Sequence, residues 1–215
     1  MNTRAHNPHQ PLHKYLLLPL LPLLLCAPAL AQPGQHAHDH ASEARSRAAD
    51  AEESNVDFFW RKSDQAFHEG DYERAIGWHR AIVALEPGDI QSWSVASWLM
   101  WSLGHGEQAT AWIDRGLKAN PDSWEMWNEA AEQFELQKLD ARALEAYKHA
   151  LSIQPTGADR QDAQLLRRRL AHAAERSGEL ELSAQTWRAL ARDYPDEAVN
   201  KNNLARVEAL AAARK

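Results

Sequence analysis

Three histidines near the N-terminus have a spacing that suits a metal ion. His36, His38 and His40 alternate with Ala37 and Asp39, so their imidazoles can share zinc, copper or nickel when the chain is extended. No cysteine or second histidine cluster lies nearby to complete a closed shell. A solvated polar tail with incidental histidines is the alternative, and we favour it because three donors on a loose segment form an unselective site.

Known catalytic motifs are missing from the sequence. Cys26 is the only cysteine, and neither a glycine-rich phosphate loop nor an H-E-x-x-H motif occurs. Five further histidines are scattered, and we expect each to be a packing or surface residue: His68, His79, His105, His149 and His172. We therefore predict a protein that is not an enzyme and needs no cofactor.

The N-terminus has the features of an export signal. A basic, polar start leads into an apolar run, Tyr15 to Cys26, and Ala29-Leu30-Ala31 then fits an A-x-A cleavage site. We predict that residues 1–31 are a signal peptide, that the mature chain starts near Gln32, and that the protein is exported to the periplasm. A retained membrane helix and a lipoprotein acylated on Cys26 are the alternatives. Prolines interrupt the apolar run, and Leu25 is not the small residue that usually precedes an acylated cysteine.

Charge argues against a nucleic-acid partner. The chain has 30 acidic and 24 basic side chains, of which Arg4 and Lys14 lie in residues 1–31. The remainder carries 22 basic groups against 30 acidic ones, whereas nucleic-acid binding needs a basic surface. Residues 32–54 hold no apolar side chain larger than alanine, so we predict a disordered tether there. We expect no membrane span once the signal is removed.

A constant repeat period organises the rest of the chain. Pro87, Pro121 and Pro155 are evenly spaced, and Pro195 follows after a slightly longer step. Three sets of other residues keep the same step as the first three prolines: Ala75, Ala109 and Ala143; Trp93 and Trp127; Gly70 and Gly104. Such self-similarity predicts a stack of short supersecondary units.

The repeat resembles the tetratricopeptide (TPR) repeat family. The unit from Trp124 to Gly157 matches its pattern at Trp127, Ala130-Ala131, Phe134, Ala143, Tyr147, Ala150 and Pro155. The resemblance covers roughly residues 56–197. It implies an all-α, right-handed α-solenoid of about four helix-turn-helix repeats in residues 55–197, followed by a C-terminal capping helix in residues 198–215.

Each unit is expected to contain two helices, A and B, joined by a tight turn. Gly70, Gly104 and Gly178 suit such turns because glycine tolerates positive φ. Lys138 departs from this rule, so we expect its turn to be built differently. We expect the arginine run 167–169 to be a solvated face. For the capping helix we expect an apolar stripe against the stack (Val199, Leu204, Val207, Leu210) and a second set in water (Asn200, Lys201, Arg206, Glu208).

The resemblance also implies a groove lined by the A helices that binds an extended or helical peptide. The residues carried onto that groove are Trp60, Asp64, Phe67, Trp98, Trp101, Asn128, Glu132, Glu135, Arg168 and His172. Four of them form a candidate aromatic strip: Trp60, Phe67, Trp98 and Trp101. The alternative is that one of these rings fills the gap between adjacent A helices.

The groove positions are acidic in the middle. Five of them are carboxylates: Asp57, Asp64, Glu125, Glu132 and Glu135. The clamp with which some TPR proteins grip a carboxylate tail is absent, so a basic or apolar-aromatic segment fits better. We predict a non-enzymatic protein-interaction module of the cell envelope with a protein or peptide partner. A metal-handling protein that uses His36, His38 and His40 is the alternative.

Overall fold

The computed structural model describes residues 54–155 and 159–214, with the side chain of Arg160 excepted. All of them belong to one compact unit, Glu52–Lys215. Within these ranges the chain forms nine helices and no strand. The helices are α1 (Asn55–His68), α2 (Tyr72–Leu85), α3 (Ile90–Ser102), α4 (Gly106–Ala119), α5 (Trp124–Leu136), α6 (Asp140–Ile153), α7 (Arg160–Arg176), α8 (Leu180–Asp193) and α9 (Ala198–Ala213). None of these helices is both long and apolar enough to cross a membrane.

The helices pack in chain order as four hairpins: α1–α2, α3–α4, α5–α6 and α7–α8. Neighbouring hairpins pack through α2–α3, α4–α5 and α6–α7, and α9 packs on α8. A single hairpin cannot bury its own apolar face, so stacking is what completes the core. The architecture is the predicted all-α solenoid of four helix-turn-helix repeats with a capping helix.

Small side chains lie where the helices come closest. Ala75, Ala109 and Ala143 are fully buried, as are Ala130 and Ala131. A methyl group at such a position lets two helix axes approach, since the distance between axes depends on the side chains at the contact. One cluster of buried residues runs through these alanines from the first hairpin into α7, so the stack has a continuous core.

The turn inside each hairpin contains one residue in the left-handed backbone conformation. The three glycines at these turns have positive φ: Gly70 77°, Gly104 85° and Gly178 80°. In the first turn, the Asp71 amide donates to the Ala66 carbonyl at 2.9 Å and the Gly70 amide to the Phe67 carbonyl at 3.0 Å. These are the paired bonds of a Schellman motif, which requires a residue in the left-handed region.

The third turn, at Lys138, has the same geometry as the other three. Lys138 has φ 61°. Its amide donates to the Glu135 carbonyl at 3.0 Å, and the Leu139 amide donates to the Phe134 carbonyl at 2.9 Å. The expectation that this turn is built differently is therefore wrong. Closure of the hairpin imposes the left-handed backbone conformation, and a residue with a Cβ atom adopts this conformation at a cost in free energy.

The A helix of the fourth hairpin is longer than those of the first three. Helix α7 has 17 residues, against 13 or 14 in α1 to α6. Its N-cap is Asp159, whose carboxylate accepts from the Gln161 amide at 2.7 Å, and Asp162 lies in the first turn. Both carboxylates lie at the end of the helix where backbone amides and the dipole favour negative charge.

The capping helix has a different orientation from the one we expected. Asn200 is fully buried, and its side-chain Nδ2 donates to the Leu190 carbonyl at 3.4 Å. Val207 faces the stack as expected, whereas Val199 and Leu210 are 45 % and 43 % exposed. Consecutive helical residues point about 100° apart, so burying Asn200 turns the preceding Val199 outward.

Candidate functional site

The A-helix face is defined here by α1, α3, α5, α7 and α9. Polar side chains link successive A helices along its first half. Trp60 on α1 donates its indole N–H to Asp89 Oδ2 at the start of α3, at 3.1 Å. Ser97 on α3 donates to Gln133 Oε1 on α5 at 3.1 Å, and Ser94 donates to the carboxylate of Glu129. Trp60 therefore holds two helices together instead of lying free in a groove.

Arginines of α7 neutralise the acidic side chains in the middle of this face. Arg169 Nη1 lies 2.5 Å from Glu132 Oε1 and 2.8 Å from Asn128 Oδ1. Arg176 pairs in the same way with Glu135. The sequence pattern shows the carboxylates on α5, but it does not show that the next A helix brings cations to them. The middle of the face is thus less negative than the sequence predicts.

Glu132 is a perturbed carboxyl group within this cluster. Burial raises its pKa to about 7, and Glu129 and Glu135 add to the rise, while Arg169 and Asn128 oppose it. The buried hydroxyl of Tyr147 faces the same carboxylates, and burial also raises its pKa. Perturbed groups mark candidate functional sites and structural ion-pair networks alike, and here the partners are all intramolecular.

The arginine run 167–169 is not a solvated face. Arg167 pairs with Asp193 at the end of α8 at 2.9 Å, and Arg169 reaches α5. Arg168 Nε donates to Asn200 Oδ1 on α9 at 3.0 Å. Because neighbouring residues of a helix point in different directions, the three arginines reach three helices. Arg168, predicted to bind a partner, anchors the capping helix.

An aromatic patch remains exposed on this face near the first hairpin turn. Its members are Phe67, Tyr72 and Trp98, which are 37 %, 36 % and 42 % exposed. The Phe67 ring centroid lies 5.4 Å from that of Tyr72 and 6.5 Å from that of Trp98. The structure thus brings together two of the four predicted strip residues and adds Tyr72. Tyr72 went unnoticed in the sequence because it begins helix B, although its place directly after the turn was a usable signal.

Three further predicted groove residues are not members of the aromatic patch. Trp101 is partly buried and packs on the main core, so it fills the space between helices. Asp64 is exposed one helical turn before Phe67, and its Oδ1 lies 3.4 Å from His68 Nε2. His172 packs edge-on against Trp187 with ring centroids 4.9 Å apart, and burial lowers its pKa.

His79 is a buried polar side chain that links the first two hairpins. It is 1 % exposed, its Nε2 lies 2.8 Å from Ser63 Oγ, and its Nδ1 lies 3.1 Å from Ser92 Oγ. Burial lowers its pKa to about 4, and Asp89 opposes the shift. The expectation that His79 is a packing residue holds. Its two serine partners could not be predicted, because Ser63 and Ser92 lie 16 and 13 residues away in sequence, on two other helices.

The metal alternative concerns residues that the structure does not describe. His36, His38 and His40 lie outside the described residues, as do the predicted signal peptide and, apart from Ser54, the predicted tether. In residues 54–155 and 159–214 no group of three histidine, cysteine, aspartate or glutamate side chains is placed to hold a metal ion. Metal binding by the tether stays a prediction, which titration with and without residues 32–54 would test.

Comparison with known proteins gives matches in structure alone. Neither a protein-family model nor a curated protein sequence matches the chain. The thermophilic TPR protein TTC0263 of Thermus thermophilus is similar over 80 % of this chain and 91 % of its own, at 17 % identity and TM-score 0.52. MamA 41-end from Desulfovibrio magneticus RS-1 matches 74 % of this chain and 87 % of its own, at 15 % identity and TM-score 0.56. The fold is that of the TPR proteins.

A much longer chain contains a segment of similar fold. A chain from the structure of Naa15/Naa10 bound to HypK-THB matches 74 % of this chain at 19 % identity and TM-score 0.55. This protein corresponds to only 23 % of that chain's length. At such identities the likeness establishes the TPR fold and leaves function to be argued from this chain's own surfaces.

Proposed function

We propose that the chain is a non-enzymatic protein-interaction module of the cell envelope that holds a partner polypeptide on the aromatic patch. The observation that carries the proposal is the joint exposure of Phe67, Tyr72 and Trp98, with the Phe67 ring next to both of the others. Contiguous exposed aromatic surface is rare on monomeric proteins and marks interaction sites. Tryptophan and tyrosine also dominate the residues whose loss weakens protein–protein binding most.

The patch suits an apolar or aromatic segment that carries a basic residue. Asp64 lies one helical turn before Phe67 on α1 and is largely exposed, and Glu73 is exposed close by in sequence. Glu132 and Glu135, by contrast, are already paired with arginines. Charge selection on this face therefore falls to the acidic end of α1.

The experiment compares partner capture by the parent with capture by a double variant. Phe67→Ala with Trp98→Ala removes two half-exposed rings, so we expect a change in stability within about 1 kcal/mol and at least a tenfold loss of capture. Capture is measured by crosslinking in an envelope extract followed by quantitative mass spectrometry. Leu85→Ala, at a residue 54 % exposed in another part of the stack, is the matched control.

Two outcomes would reject the patch as the binding surface. One is a double variant that captures the same proteins as the parent at the same level. The other is a double variant that melts far below the parent, since the rings would then be core. The location in the envelope rests on the predicted signal peptide and is tested separately by N-terminal sequencing. A chain that begins near Gln32 supports export, and one that begins at Met1 does not.

A further inference from the structure

In the first two repeats, an aromatic side chain on helix A packs against a tryptophan on helix B. Phe59 and Trp78 stack with ring centroids 5.4 Å apart, and Trp93 and Trp112 are 4.5 Å apart. Trp112 also donates its indole N–H to the Trp93 carbonyl at 3.1 Å. Trp78 and Trp112 are separated by one repeat period, so these pairs are one repeated feature of the stack.

The third repeat keeps the first ring of this pair and lacks the second. Trp127 stands one repeat period after Trp93, and its indole N–H donates to the Pro121 carbonyl at 2.8 Å. Trp93 makes the equivalent bond to the Pro87 carbonyl at 2.9 Å. The residue one repeat period after Trp112 is Ala146. The ring that would cover Trp127 is therefore missing.

An open groove lies where that ring would be. It has a volume of about 1070 Å³ and lies between α4 and α6, with Leu117, Trp127, Phe134 and Ala146 among its lining residues. His149, at the repeat position of Arg115, covers part of Trp127 with ring centroids 4.2 Å apart. This open volume is larger than one indole side chain.

The edge of this groove is basic, although the chain as a whole is acidic. Its two carboxylates are already paired, Asp114 with Arg142 at 2.5 Å and Glu145 with Lys148 at 2.9 Å. Lys118 also lines the groove and forms no ion pair with any residue that the structure describes. An occupant therefore meets an apolar floor and an uncompensated cation.

We propose that this groove is a second docking surface, which receives an aromatic side chain from an acidic segment of a partner protein. The incoming ring would take the place that Trp78 and Trp112 fill in the first two repeats, and the acidic flank would face Lys118. The floor offers ring-on-ring contact with Trp127, and the charge at the edge selects the sign of the flank. None of the groove's lining residues belongs to the aromatic patch of the proposed function, so the two surfaces are separate.

The test uses the full chain and defined peptides. The probe is a fluorescein-labelled nonapeptide with a central tryptophan flanked by glutamates, and its binding is followed by fluorescence anisotropy. One control peptide replaces the tryptophan with alanine, and another replaces the glutamates with glutamines. The protein variants are Ala146→Trp, which restores the missing ring and fills the groove, and Lys118→Glu. Leu85→Ala, which lies outside both the groove and the aromatic patch, is the matched control.

We expect the parent to bind the probe at least tenfold more tightly than either control peptide. Ala146→Trp should lose at least tenfold in affinity, and Lys118→Glu should lose affinity in a manner that fades at high salt. Leu85→Ala should bind as the parent does. Equal binding of the three peptides, no binding by the parent, or full binding by both groove variants would overturn the proposal. If Ala146→Trp fails to fold, Lys118→Glu and the peptide pair still decide it.

Discussion

Replacing Lys138 by glycine should stabilise the protein, because the chain holds a lysine in a conformation that suits glycine. Lys138 has φ 61°, close to the 77° of Gly70 and the 85° of Gly104. Its side chain is exposed and makes no hydrogen bond or ion pair among the described residues, so no contact is lost. The backbone bonds of the turn are the same as in the glycine turns.

The size of the effect follows from two opposing terms. A left-handed conformation costs a residue with a Cβ atom about 1–2 kcal/mol. Glycine gives back about 0.4–1 kcal/mol because it gains more freedom in the unfolded chain. The net gain for Lys138→Gly should be about 0.5–1 kcal/mol, which corresponds to a rise in Tm of roughly 1–4 °C for a domain of this size.

Urea and thermal denaturation followed by circular dichroism measure this gain. Gly104→Ala is the matched control, since a Cβ atom there meets nothing within 4 Å and its cost is purely conformational. It should destabilise by about the amount that Lys138→Gly stabilises. Lys138→Asn should fall between parent and glycine variant, because asparagine tolerates the left-handed region. A Lys138→Gly protein that is less stable than the parent would refute the reasoning.

Two further predictions concern the core. The pKa of His79 falls from its ordinary 6.5 to about 4 in the folded chain, so the unfolded chain binds more protons between these values. The contribution of His79 to stability should therefore fall by about 3 kcal/mol from pH 6.5 to 4, so the urea midpoint of the parent should shift downward relative to that of His79→Gln over this range. The pKa of Glu132 is raised to about 7, so acidification through Glu132 favours the folded state. This effect is present in both proteins and cancels in their comparison. Ala130→Leu should lower stability by roughly 1–3 kcal/mol through overpacking. An unchanged melting curve would mean that α5 and α6 meet elsewhere.

The architecture could be predicted because it depends on residues that recur with the period. The prolines, the turn glycines and the buried alanines each fix a local feature of one hairpin, and stacking follows from their repetition. The Lys138 turn shows the limit of reasoning from residue type alone. Its conformation is imposed by the geometry of the hairpin, which the neighbouring helices determine.

The candidate site was less predictable because its contacts join helices that are far apart in sequence. Arg169 and Glu132 are paired across two helices, and nothing in a repeat pattern says which of two facing polar side chains will meet. Trp98 and Trp101 look equivalent in sequence, but one is exposed and the other packs on the core. The groove at Ala146 is visible in the sequence only after the ring pair of the earlier repeats is known.

The links along the A-helix face have a mechanical consequence. Packing holds the two helices of each hairpin together, and side-chain bonds from each A helix to the next resist the separation of neighbouring hairpins. The bracing is uneven: α1 is tied to α3 by the neutral indole bond from Trp60 to Asp89 and by the ring contact between Phe67 and Trp98, whereas two arginines, Arg168 and Arg206, hold α9 to α7. Under a pulling force on its two ends, the stack should therefore release its first hairpin before its last helix.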